Sequence, residues 1–337
     1  MKAVGYKVPG PIDAAASLVD IDLPEPSPAG HDLLIEVKAV SVNPVDYKIR
    51  RSTVPKDGDW MVLGYDAAGI VRAVGPAVSL FQPGDEVFYA GSIARPGTNA
   101  ELHLVDERIV GKKPPSLDWA EAAALPLTTL TAWETFFDRL DVNKPIPGAA
   151  SAILIIGGAG GVGSIAVQIA RQCTDLTVIS TASRPETQDW VKTLGAHHVL
   201  DHSKPLAPQV EALGIGALAF VFSTTHTADH VADIAELIAP QGRFALIDDP
   251  EGFDIMLFKR KAVSIHHEFM FTRPIYGTPD MSEQGRILSE VSALVEAGKL
   301  RTTLTKRLSP INAVNLRRVH ALIESGKARG KIVLEGF

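Results

Sequence analysis

The sequence predicts an α/β fold with two domains, one rich in β-strands and one doubly wound around a parallel sheet. Three observations support this prediction. The chain has 337 residues, a length that suits two domains of ordinary size. Its N-terminal third contains short strand-like segments separated by Gly and Pro. From about residue 150 onward, apolar strand segments alternate with helical segments, which is typical of a parallel sheet.

The composition is that of a globular protein without a basic binding surface. Hydrophobic residues make up 46% and charged residues 21% of the chain, which excludes extensive disorder. The formal net charge is −6, and Lys and Arg form no cluster of the kind that binds nucleic acid or an anionic membrane. We therefore expect neither a nucleic acid nor a membrane as partner.

The cysteine content and the N-terminus indicate a cytoplasmic protein. The single cysteine, Cys173, excludes a disulfide framework and a four-cysteine zinc lobe. The first residues contain no apolar segment of the kind that directs export. Residues 145–170 are uncharged, but their prolines and glycines would leave backbone groups unpaired in lipid, so we do not expect a membrane span.

Strand patterns dominate the first domain. Residues 34–42 alternate apolar and polar side chains, which predicts a strand with one buried face. Further strand candidates are residues 66–74 and 86–89. Asp118 and Glu121 have the spacing of a capping box at the start of an alanine-rich helix. A second helix is expected over residues 131–140.

The second part of the chain alternates strands and helices. Its strand candidates are residues 152–156, 177–182, 198–201, 218–222, 243–247 and 263–271. Helices are expected over residues 282–297 and 312–325, each followed by a glycine that ends it. A last strand over residues 331–334 could rejoin the first domain.

A glycine-rich turn follows the first strand of this alternating series. Gly158, Gly160 and Gly163 have the G-x-G-x-x-G spacing between an apolar strand and an amphipathic helix. We assign to them a tight exit from the strand, close approach to a pyrophosphate and close helix-to-strand packing, respectively. The N–H groups of the helix N-terminus would favour an anion at the turn. In this context the motif predicts a dinucleotide site.

The end of the next strand indicates which dinucleotide is bound. NAD-binding turns place an Asp or Glu about 20 residues beyond the glycines, whereas residues 180–184 include no acid. The hydroxyls of Thr181 and Ser183 and the guanidinium of Arg184 would accept a 2′-phosphate, which a carboxylate would repel. We therefore expect NADPH rather than NADH. The alternative for Arg184 is a solvated residue at the start of a helix.

Motifs along nearly the whole chain resemble those of the medium-chain dehydrogenase/reductase superfamily. They lie at residues 43–46, 63–69, 83–87, 123–126, 160–163 and 195–196. The chain is most similar to the quinone oxidoreductase branch, in a subgroup often labelled zinc-type alcohol dehydrogenase-like. The resemblance implies a GroES-like catalytic domain, residues 1–125 and 274–337, interrupted by a Rossmann domain, residues 126–273.

The catalytic zinc ligands of that superfamily are missing here. The matching positions are Asn43, Tyr65 (followed by Asp66) and about Leu127. Catalytic zinc needs about three protein ligands, and none of these positions supplies a thiolate or an imidazole. We therefore predict no functional zinc. His226 and His230 are four residues apart without a third ligand nearby, so we expect them to be structural or surface residues.

A cleft without zinc still suits hydride transfer to an acceptor that needs little metal assistance. Quinones and α,β-unsaturated carbonyls fit, because a few hydrogen bonds stabilise the charge that develops on their oxygen. By the resemblance, Asn43 lines the nicotinamide side of the cleft, and Tyr65 and Lys48 are candidate proton donors. Alternatively, Tyr65 fills the space left by the metal and Lys48 is a solvated lysine. A purely structural contact between Asp46 and Arg50 is also possible.

The predicted cofactor-binding residues combine the glycine-rich turn with positions implied by the resemblance. Thr131 matches a threonine that touches the nicotinamide in relatives, and Lys331 matches a basic position near the cofactor phosphates. The full set is Asn43, Thr131, Gly158, Ala159, Gly160, Gly161, Val162, Gly163, Thr181, Ser183, Arg184, His202 and Lys331. For Thr131 and Lys331 the alternatives are packing and surface roles.

We interpret the chain as an NADPH-dependent, zinc-independent reductase of quinones or activated alkenes. The alternatives are a zinc-type alcohol dehydrogenase and an NADPH-binding sensor with little turnover. The strand candidate at residues 263–271 matches an edge that pairs with its twin in the superfamily, so we expect a homodimer.

Overall fold

The structure is a computed structural model that describes residues 1–14 and 16–337. These residues form two compact units, Met1–Leu130 with Phe271–Phe337, and Thr131–Met270. The domain limits expected from the sequence, residues 125 and 273, lie a few residues from these boundaries. Among the described residues, no helix is both long enough and apolar enough to cross a lipid bilayer.

The strands are numbered in chain order. They are β1 Lys2–Tyr6, β2 Val19–Asp22, β3 Asp32–Ser41, β4 Met61–Val62, β5 Ala67–Val74, β6 Glu86–Tyr89, β7 Leu102–Asp106, β8 Val110–Lys112, β9 Ala150–Ile156, β10 Thr177–Thr181, β11 His198–Leu200, β12 Leu218–Ser223, β13 Ile238–Leu246, β14 Ser264–His267, β15 Leu304–Leu308 and β16 Lys331–Glu335. Each strand predicted from the sequence corresponds to one of these.

The helices follow the same numbering. They are α1 Pro44–Ser52, α2 Trp119–Ala123, α3 Pro126–Trp133, α4 Gly161–Cys173, α5 Pro185–Thr193, α6 Leu206–Glu211, α7 Thr227–Leu237, α8 Thr272–Tyr276, α9 Glu283–Glu296 and α10 Ala313–Glu324. Short 3₁₀ helices cover Lys56–Gly58, Glu107–Ile109 and Ile255–Lys261. The predicted capping box before α2 is confirmed, because Asp118 Oδ1 accepts the Glu121 N–H at 2.8 Å and Glu121 accepts the Asp118 N–H at 3.1 Å.

The first unit is built on a mostly antiparallel sheet in the order β15-β16-β3-β5-β6-β8, with β7 also paired to β3. The central strand β3 alternates half-buried and buried residues because one of its faces covers the core. The last strand, β16, pairs antiparallel with β3 and sets Leu334 opposite Val40. The prediction that the C-terminal strand rejoins the first domain is therefore confirmed.

The second unit contains a six-stranded sheet in the order β11-β10-β9-β12-β13-β14, and every pair in it is parallel. All residues of β12 are buried, as expected for a central parallel strand covered on both faces. The predicted parallel sheet is thus confirmed. Because the strands are parallel, the carboxyl ends of β9, β10, β11 and β12 lie along one edge, which positions the loops described below.

Two predicted elements differ from the structure. The strand expected over residues 263–271 is only β14, Ser264–His267. Beyond it, Met270 and Phe271 lie in a turn and are both buried although they are adjacent, so the alternation typical of a strand ends there. The helix expected over 131–140 begins earlier, at Pro126, since proline suits the first helical position. It continues as a π-helix over Glu134–Arg139.

Candidate active site

The glycine-rich turn joins β9 to α4, and neither Gly158 nor Gly163 has room for a side chain. A Cβ on Gly158 would lie 1.7 Å from Oγ of Ser180, and one on Gly163 would lie 2.2 Å from the carbonyl oxygen of Gly157. The close packing predicted for Gly163 is therefore present. The exit from the strand uses a positive φ of 82° at Gly157. Gly158 follows directly and packs against Ser180 of β10, and its predicted role in the exit from the strand stays a prediction.

The same turn fits the pyrophosphate of a dinucleotide. In the described chain, a Cβ on Gly160 would have a single neighbour within 4 Å, the carbonyl oxygen of Gly157 at 3.4 Å. A ligand can therefore approach the backbone closely at this glycine. Gly160 is also the N-cap of α4 and contributes no side chain to the first N–H groups of the helix. These N–H groups are suited to an anion.

Thr181 and His202 lie beside the turn. The hydroxyl oxygen of Thr181 accepts the N–H of Gly157 at 3.0 Å and lies 3.1 Å from Nδ1 of His202. This proximity follows from the sheet order, because β10 and β11 are neighbours and Thr181 is paired with Leu200. The structure thus brings these two predicted residues together with the glycine-rich turn.

Arg184 occupies the N-cap position of α5, shortly after β10. Its side chain is 43% exposed, and its Nε lies 3.1 Å from Oε1 of Glu186. Ser183 is half-buried next to it. Glu186 was missed by the sequence analysis, although acidic residues favour the first turn of a helix. Its carboxylate would compete with a phosphate for the guanidinium.

In the first unit, Asn43, Asp66 and Lys331 form a buried polar cluster. The Asn43 amide donates from Nδ2 to Oδ2 of Asp66 at 2.8 Å, and the Lys331 ammonium donates to the same oxygen at 2.9 Å. Lys331 also donates to Oδ1 of Asn43. The other carboxylate oxygen of Asp66 accepts the N–H of Leu127 at 2.8 Å. Each polar group of the cluster is therefore matched by a protein partner.

The sheet of the first unit explains how the cluster forms. Asn43 lies between β3 and α1, Asp66 immediately precedes β5, and Lys331 is the first residue of β16. These three strands are neighbours in the sheet, so the three side chains meet although they are far apart in sequence. All three are at most 3% exposed. Asp66, the acid beside the predicted Tyr65, is the part of this cluster that the predicted site omitted.

Asp46 adds a second buried carboxylate beside the cluster. Its Oδ2 accepts the N–H of Asn43 at 2.6 Å, and its Oδ1 accepts the N–H of Gly64 at 2.9 Å. Burial raises the pKa of Asp46 to about 7. Burial also raises the pKa of Asp66, although the Lys331 ammonium works in the opposite direction. The stability of the folded protein therefore depends on whether the carboxyl groups of Asp46 and Asp66 are protonated.

The sequence suggested a structural contact between Asp46 and Arg50, and this suggestion is wrong, because the two side chains bind different partners. The guanidinium of Arg50 pairs instead with Glu324 of α10 and donates from Nη1 to the carbonyl oxygen of Gly10 at 2.6 Å. The reason is that the backbone N–H groups of Asn43 and Gly64 hold the Asp46 carboxylate. Arg50 meets its own partner where α1 packs against α10.

The two predicted proton donors have different environments. Tyr65 is 1% exposed, and its ring contacts that of Phe271 edge-on with 5.6 Å between centroids. Its phenol oxygen has no hydrogen-bond partner in the described chain. Burial raises the pKa of Tyr65, and the charge of Asp46 raises it further, so the phenol keeps its proton at neutral pH. Lys48, by contrast, is exposed on α1.

Thr131 and Lys331 belong to different units. Thr131 is buried in the second unit, where its carbonyl oxygen accepts the hydroxyl of Thr135 at 2.6 Å. Lys331 belongs to the first unit, where Asp66 and Asn43 hold its ammonium. A contact between Lys331 and a cofactor phosphate would require this ammonium to leave Asp66. The cofactor roles of both residues stay predictions.

The positions that match the zinc ligands carry other interactions. Asn43 is bonded to Asp66 and Lys331, and the backbone N–H of Leu127 donates to Asp66. In the part of the chain that the structure describes, no three His, Cys, Asp or Glu side chains are grouped to hold a metal ion. The positive charge next to Asp66 is supplied by the Lys331 ammonium.

The fold and the glycine-rich turn define a dinucleotide-dependent oxidoreductase. Residues 29–115 match the model of the alcohol dehydrogenase GroES-like domain, and residues 194–334 match the model of the zinc-binding dehydrogenase family. A zinc-type alcohol dehydrogenase-like protein of Staphylococcus aureus is 41% identical over 336 residues, which cover 99% of each chain. The chain therefore belongs to the medium-chain dehydrogenase/reductase superfamily, whose enzymes use nicotinamide cofactors.

Solved structures and a more distant relative agree with this assignment. The crystal structure of a putative zinc-dependent alcohol dehydrogenase from Rhizobium etli is 79% identical, with a TM-score of 0.99 and coverage of 100% of this chain and 98% of that one. The quinone oxidoreductase of Coxiella burnetii is 26% identical, with a TM-score of 0.81 and coverage of 100% and 99%. The 2-methylene-furan-3-one reductase of Solanum lycopersicum is 27% identical over 99% of this chain and 79% of its own length.

Proposed function

We propose that this protein is an NADPH-dependent reductase that transfers hydride to a quinone or an α,β-unsaturated carbonyl without zinc. The observation that carries the proposal is the cluster of Asn43, Asp66 and Lys331, which occupies the zinc-ligand region with interactions of its own. An internal ammonium balances the buried carboxylate, so the carboxylate needs no metal ion as counter-charge. Without a Lewis acid, an acceptor with an already activated carbonyl is the chemically suitable substrate.

The second unit supplies the argument for the cofactor. When bound, a nicotinamide dinucleotide supplies the hydride, and this chain's residues hold and orient it. Gly160 and the N-terminus of α4 receive the pyrophosphate. Thr181 and Arg184, at the end of β10, suit a 2′-phosphate because no carboxylate follows the strand directly. This set of residues favours NADPH over NADH.

Protonation of the reduced substrate needs a donor. Tyr65 keeps its proton at neutral pH because burial raises the pKa of the phenol, and its hydroxyl lacks a partner in the described chain. Such a phenol can donate a hydrogen bond to an oxygen that becomes negative. Lys48 is exposed and stands as the second donor, and water is the third. We propose that Tyr65 donates a hydrogen bond to the substrate oxygen that becomes negative. The proton that the reduced substrate gains is delivered by Lys48 or water.

The relatives support the choice of substrate. The name of the Solanum lycopersicum relative specifies a methylene group conjugated to a ketone, and the Coxiella burnetii neighbour is named a quinone oxidoreductase. In both classes, hydride transfer leaves negative charge on an oxygen. The names of the Staphylococcus aureus and Rhizobium etli proteins instead refer to zinc and alcohol. The zinc-dependent alternative is therefore included in the test.

The test measures NADPH oxidation with a panel of quinones, enones and simple aldehydes, on protein freed of metal by chelation. We expect turnover of quinones or enones in the chelated protein, no gain on adding zinc, and less than one zinc per chain in the untreated protein. Turnover of an alcohol that disappears on chelation and returns with zinc would replace the proposal with an alcohol dehydrogenase. Tight NADPH binding without turnover of any acceptor would identify a sensor.

We further propose that the protein is a homodimer joined at the outer edge of β14. This strand ends the sheet order, and its outer edge has no partner strand in the described chain. Phe269, just after the strand, is 49% exposed. An exposed edge with an apolar neighbour is commonly covered by another chain. Light scattering at micromolar concentration should give twice the mass of one chain, and a monomer would contradict the proposal.

A further inference from the structure

Three histidines gather at the carboxyl edge of the parallel sheet in the second unit. His202 follows β11, whereas His226 and His230 follow β12, His226 as the N-cap of α7 and His230 within it. The ring centroids of His202 and His230 are 6.5 Å apart, with 56° between the ring planes. His226 is exposed, His202 is half-buried and His230 is nearly buried. The sequence alone gives no sign that His202 would join the other two.

The histidines are connected to the glycine-rich turn through Thr181. The Thr181 hydroxyl oxygen accepts the N–H of Gly157 and contacts Nδ1 of His202. This contact fixes the orientation of the imidazole ring. Because Nδ1 faces Thr181, Nε2 is the ring nitrogen that remains for a ligand. His202 is therefore held beside the end of β10, where Thr181 lies and Arg184 is the N-cap of the next helix.

We propose that His202, assisted by His230 and with His226 beside them, acts with Arg184 as the receptor for the ribose 2′-phosphate, and that protonation of His202 and His230 sets the preference for NADPH over NADH. The inference rests on the NADPH dependence proposed above and adds His226 and His230 to the specificity-determining residues. Arg184 carries a permanent positive charge, His202 and His230 gain one on protonation, and a 2′-phosphate brings about two negative charges to them.

The surrounding charges explain why the rings respond to a ligand. Burial lowers the pKa of His202, His230 lowers it further, Asp201 raises it, and His226 and Arg184 lower it. Burial likewise lowers the pKa of His230, which Asp229 and Asp233 raise and His226 lowers. In the free protein, His202 and His230 are therefore neutral at pH 7. A dianion bound against them would favour their charged forms and raise the pKa of both rings.

The sign of the pH dependence follows from this change. If the pKa of His202 is below its usual value in the free protein and higher in the complex, the complex binds more protons between the two values. The affinity for NADPH then rises as the pH falls from about 8 to about 6, by at most about tenfold per pH unit for each proton taken up. Near pH 6 the phosphate takes up its own second proton, and the gain ends. NADH lacks this phosphate, so its affinity stays nearly constant.

The test uses calorimetry with two fragments, adenosine 2′,5′-bisphosphate and AMP, at pH 6, 7 and 8. Titrations in two buffers with different protonation enthalpies count the protons taken up on binding. We expect the bisphosphate to take up about half to one proton at pH 7 and to bind several-fold more tightly at pH 6.5 than at pH 8. AMP should show neither effect. This measurement does not depend on the substrate or on turnover.

Substitutions assign the protons to residues. His202→Asn keeps an amide near the position of Nδ1, and so the contact with Thr181, but cannot be protonated. His230→Gln removes the second ring. Each should reduce proton uptake and lower bisphosphate affinity at pH 6.5 several-fold, with AMP binding retained. The matched control is His198→Gln at the other end of β11, opposite Ile179, which should behave as the wild type.

Three results would overturn the inference. Proton uptake that is absent in the wild type, or unchanged in both His202→Asn and His230→Gln, would remove the rings from the phosphate site. An equal loss of AMP and bisphosphate binding in His202→Asn would assign this ring to the adenine instead. If AMP and the bisphosphate bind equally at every pH, the NADPH preference itself fails. A preference for the bisphosphate that is independent of pH would leave the proposed function standing and overturn only this inference.

Discussion

The two units of this chain each contain a polar cluster, and the clusters differ in whether their charges are balanced within the protein. In the first unit, the Lys331 ammonium, the Asp66 carboxylate and the Asn43 amide satisfy one another in a buried site. In the second unit, Arg184 is positively charged, and His202 and His230 become positive on protonation; Arg184 and His202 are partly exposed, whereas His230 is buried. The first arrangement is complete within the protein. We propose that an anion completes the second, and the comparison teaches that a ligand site differs from a structural cluster in its need for a group from outside the protein.

A substitution in the buried cluster of Asn43, Asp66 and Lys331 should have the largest effect on stability. Lys331→Met leaves the Asp66 carboxylate buried without its counter-charge, and removing one partner of a buried ion pair costs about 3–5 kcal/mol. We expect the free energy of unfolding, measured with denaturant, to fall by this amount. The double variant Lys331→Met with Asp66→Asn should recover part of the loss, because the remaining side chain is uncharged.

The control is an exposed pair of the same residue types. Lys112 is 67% exposed, and its Nζ lies 4.0 Å from Oδ1 of Asp85. Surface pairs contribute about 0–1 kcal/mol, so Lys112→Met should change the stability little. If Lys331→Met lowers the free energy of unfolding no more than Lys112→Met does, the Lys331 ammonium is solvated and does not form a buried ion pair with Asp66.

The protonation of Asp46 sharpens the comparison further. Burial raises the pKa of this carboxyl from 3.8 to about 7, so the folded state binds more protons than the unfolded state between these values. Stability from this group is therefore present at low pH and is lost as the pH rises toward 7. Asp46→Asn has a side chain that does not titrate, and it loses one acceptor at every pH.

The measurement is the free energy of unfolding of both proteins at several pH values between 5 and 7.5. The difference between wild type and Asp46→Asn should shrink as the pH rises, by on the order of 1–2 kcal/mol over the range. The lost acceptor shifts the difference by a constant, so only the slope tests the prediction. A difference that is constant or grows with pH would mean that Asp46 is ionised in the folded protein throughout.

Local patterns in the sequence were sufficient for the elements but not for the cluster. Two of the predictive patterns each lie within one segment: the alternation in β3, and the spacing of Gly158, Gly160 and Gly163. The structure shows the alternating burial of β3 and a tightly packed turn at these glycines. Lys331 and Asp66 are 265 positions apart, and their contact depends on β16 joining the sheet beside β3. Pairing at such a separation is a property of the tertiary fold, which periodicity within one strand does not specify.

The errors have a similar physical origin. Asp46 and Arg50 have the helical spacing of an ion pair, but backbone N–H groups on one side and Glu324 on the other compete for them. Apolar residues at 269–271 suggested a longer strand, but Met270 and Phe271 are buried in a turn instead. In both cases a local preference was overridden by partners that are distant in sequence.

In the second unit, a comparison of two glycines separates packing from ligand access. A Cβ at Gly163 would overlap the carbonyl oxygen of Gly157, so Gly163→Ala should destabilise the protein by about 1–3 kcal/mol. Gly160→Ala has room for its methyl group against the protein and should leave the thermal midpoint nearly unchanged while weakening NADPH and NADH binding equally. Unchanged dinucleotide affinity in Gly160→Ala would place the pyrophosphate away from this glycine.

The smallest expected effects concern Arg184 and its carboxylate neighbour. Arg184→Ala removes a charge-assisted contact at a partly exposed site and should weaken NADPH binding by about tenfold, with much less effect on NADH. Glu186→Gln is the matched opposite change, because it removes the carboxylate that holds the guanidinium Nε at 3.1 Å. Exposed pairs contribute about 0.2–1 kcal/mol, so this variant should bind NADPH up to about fivefold more tightly and NADH as before. Fluorescence titration with both dinucleotides measures the two ratios. Equal losses of NADPH and NADH affinity in Arg184→Ala would show that Arg184 is a solvated surface residue. The proposed phosphate site would then consist of the histidines alone.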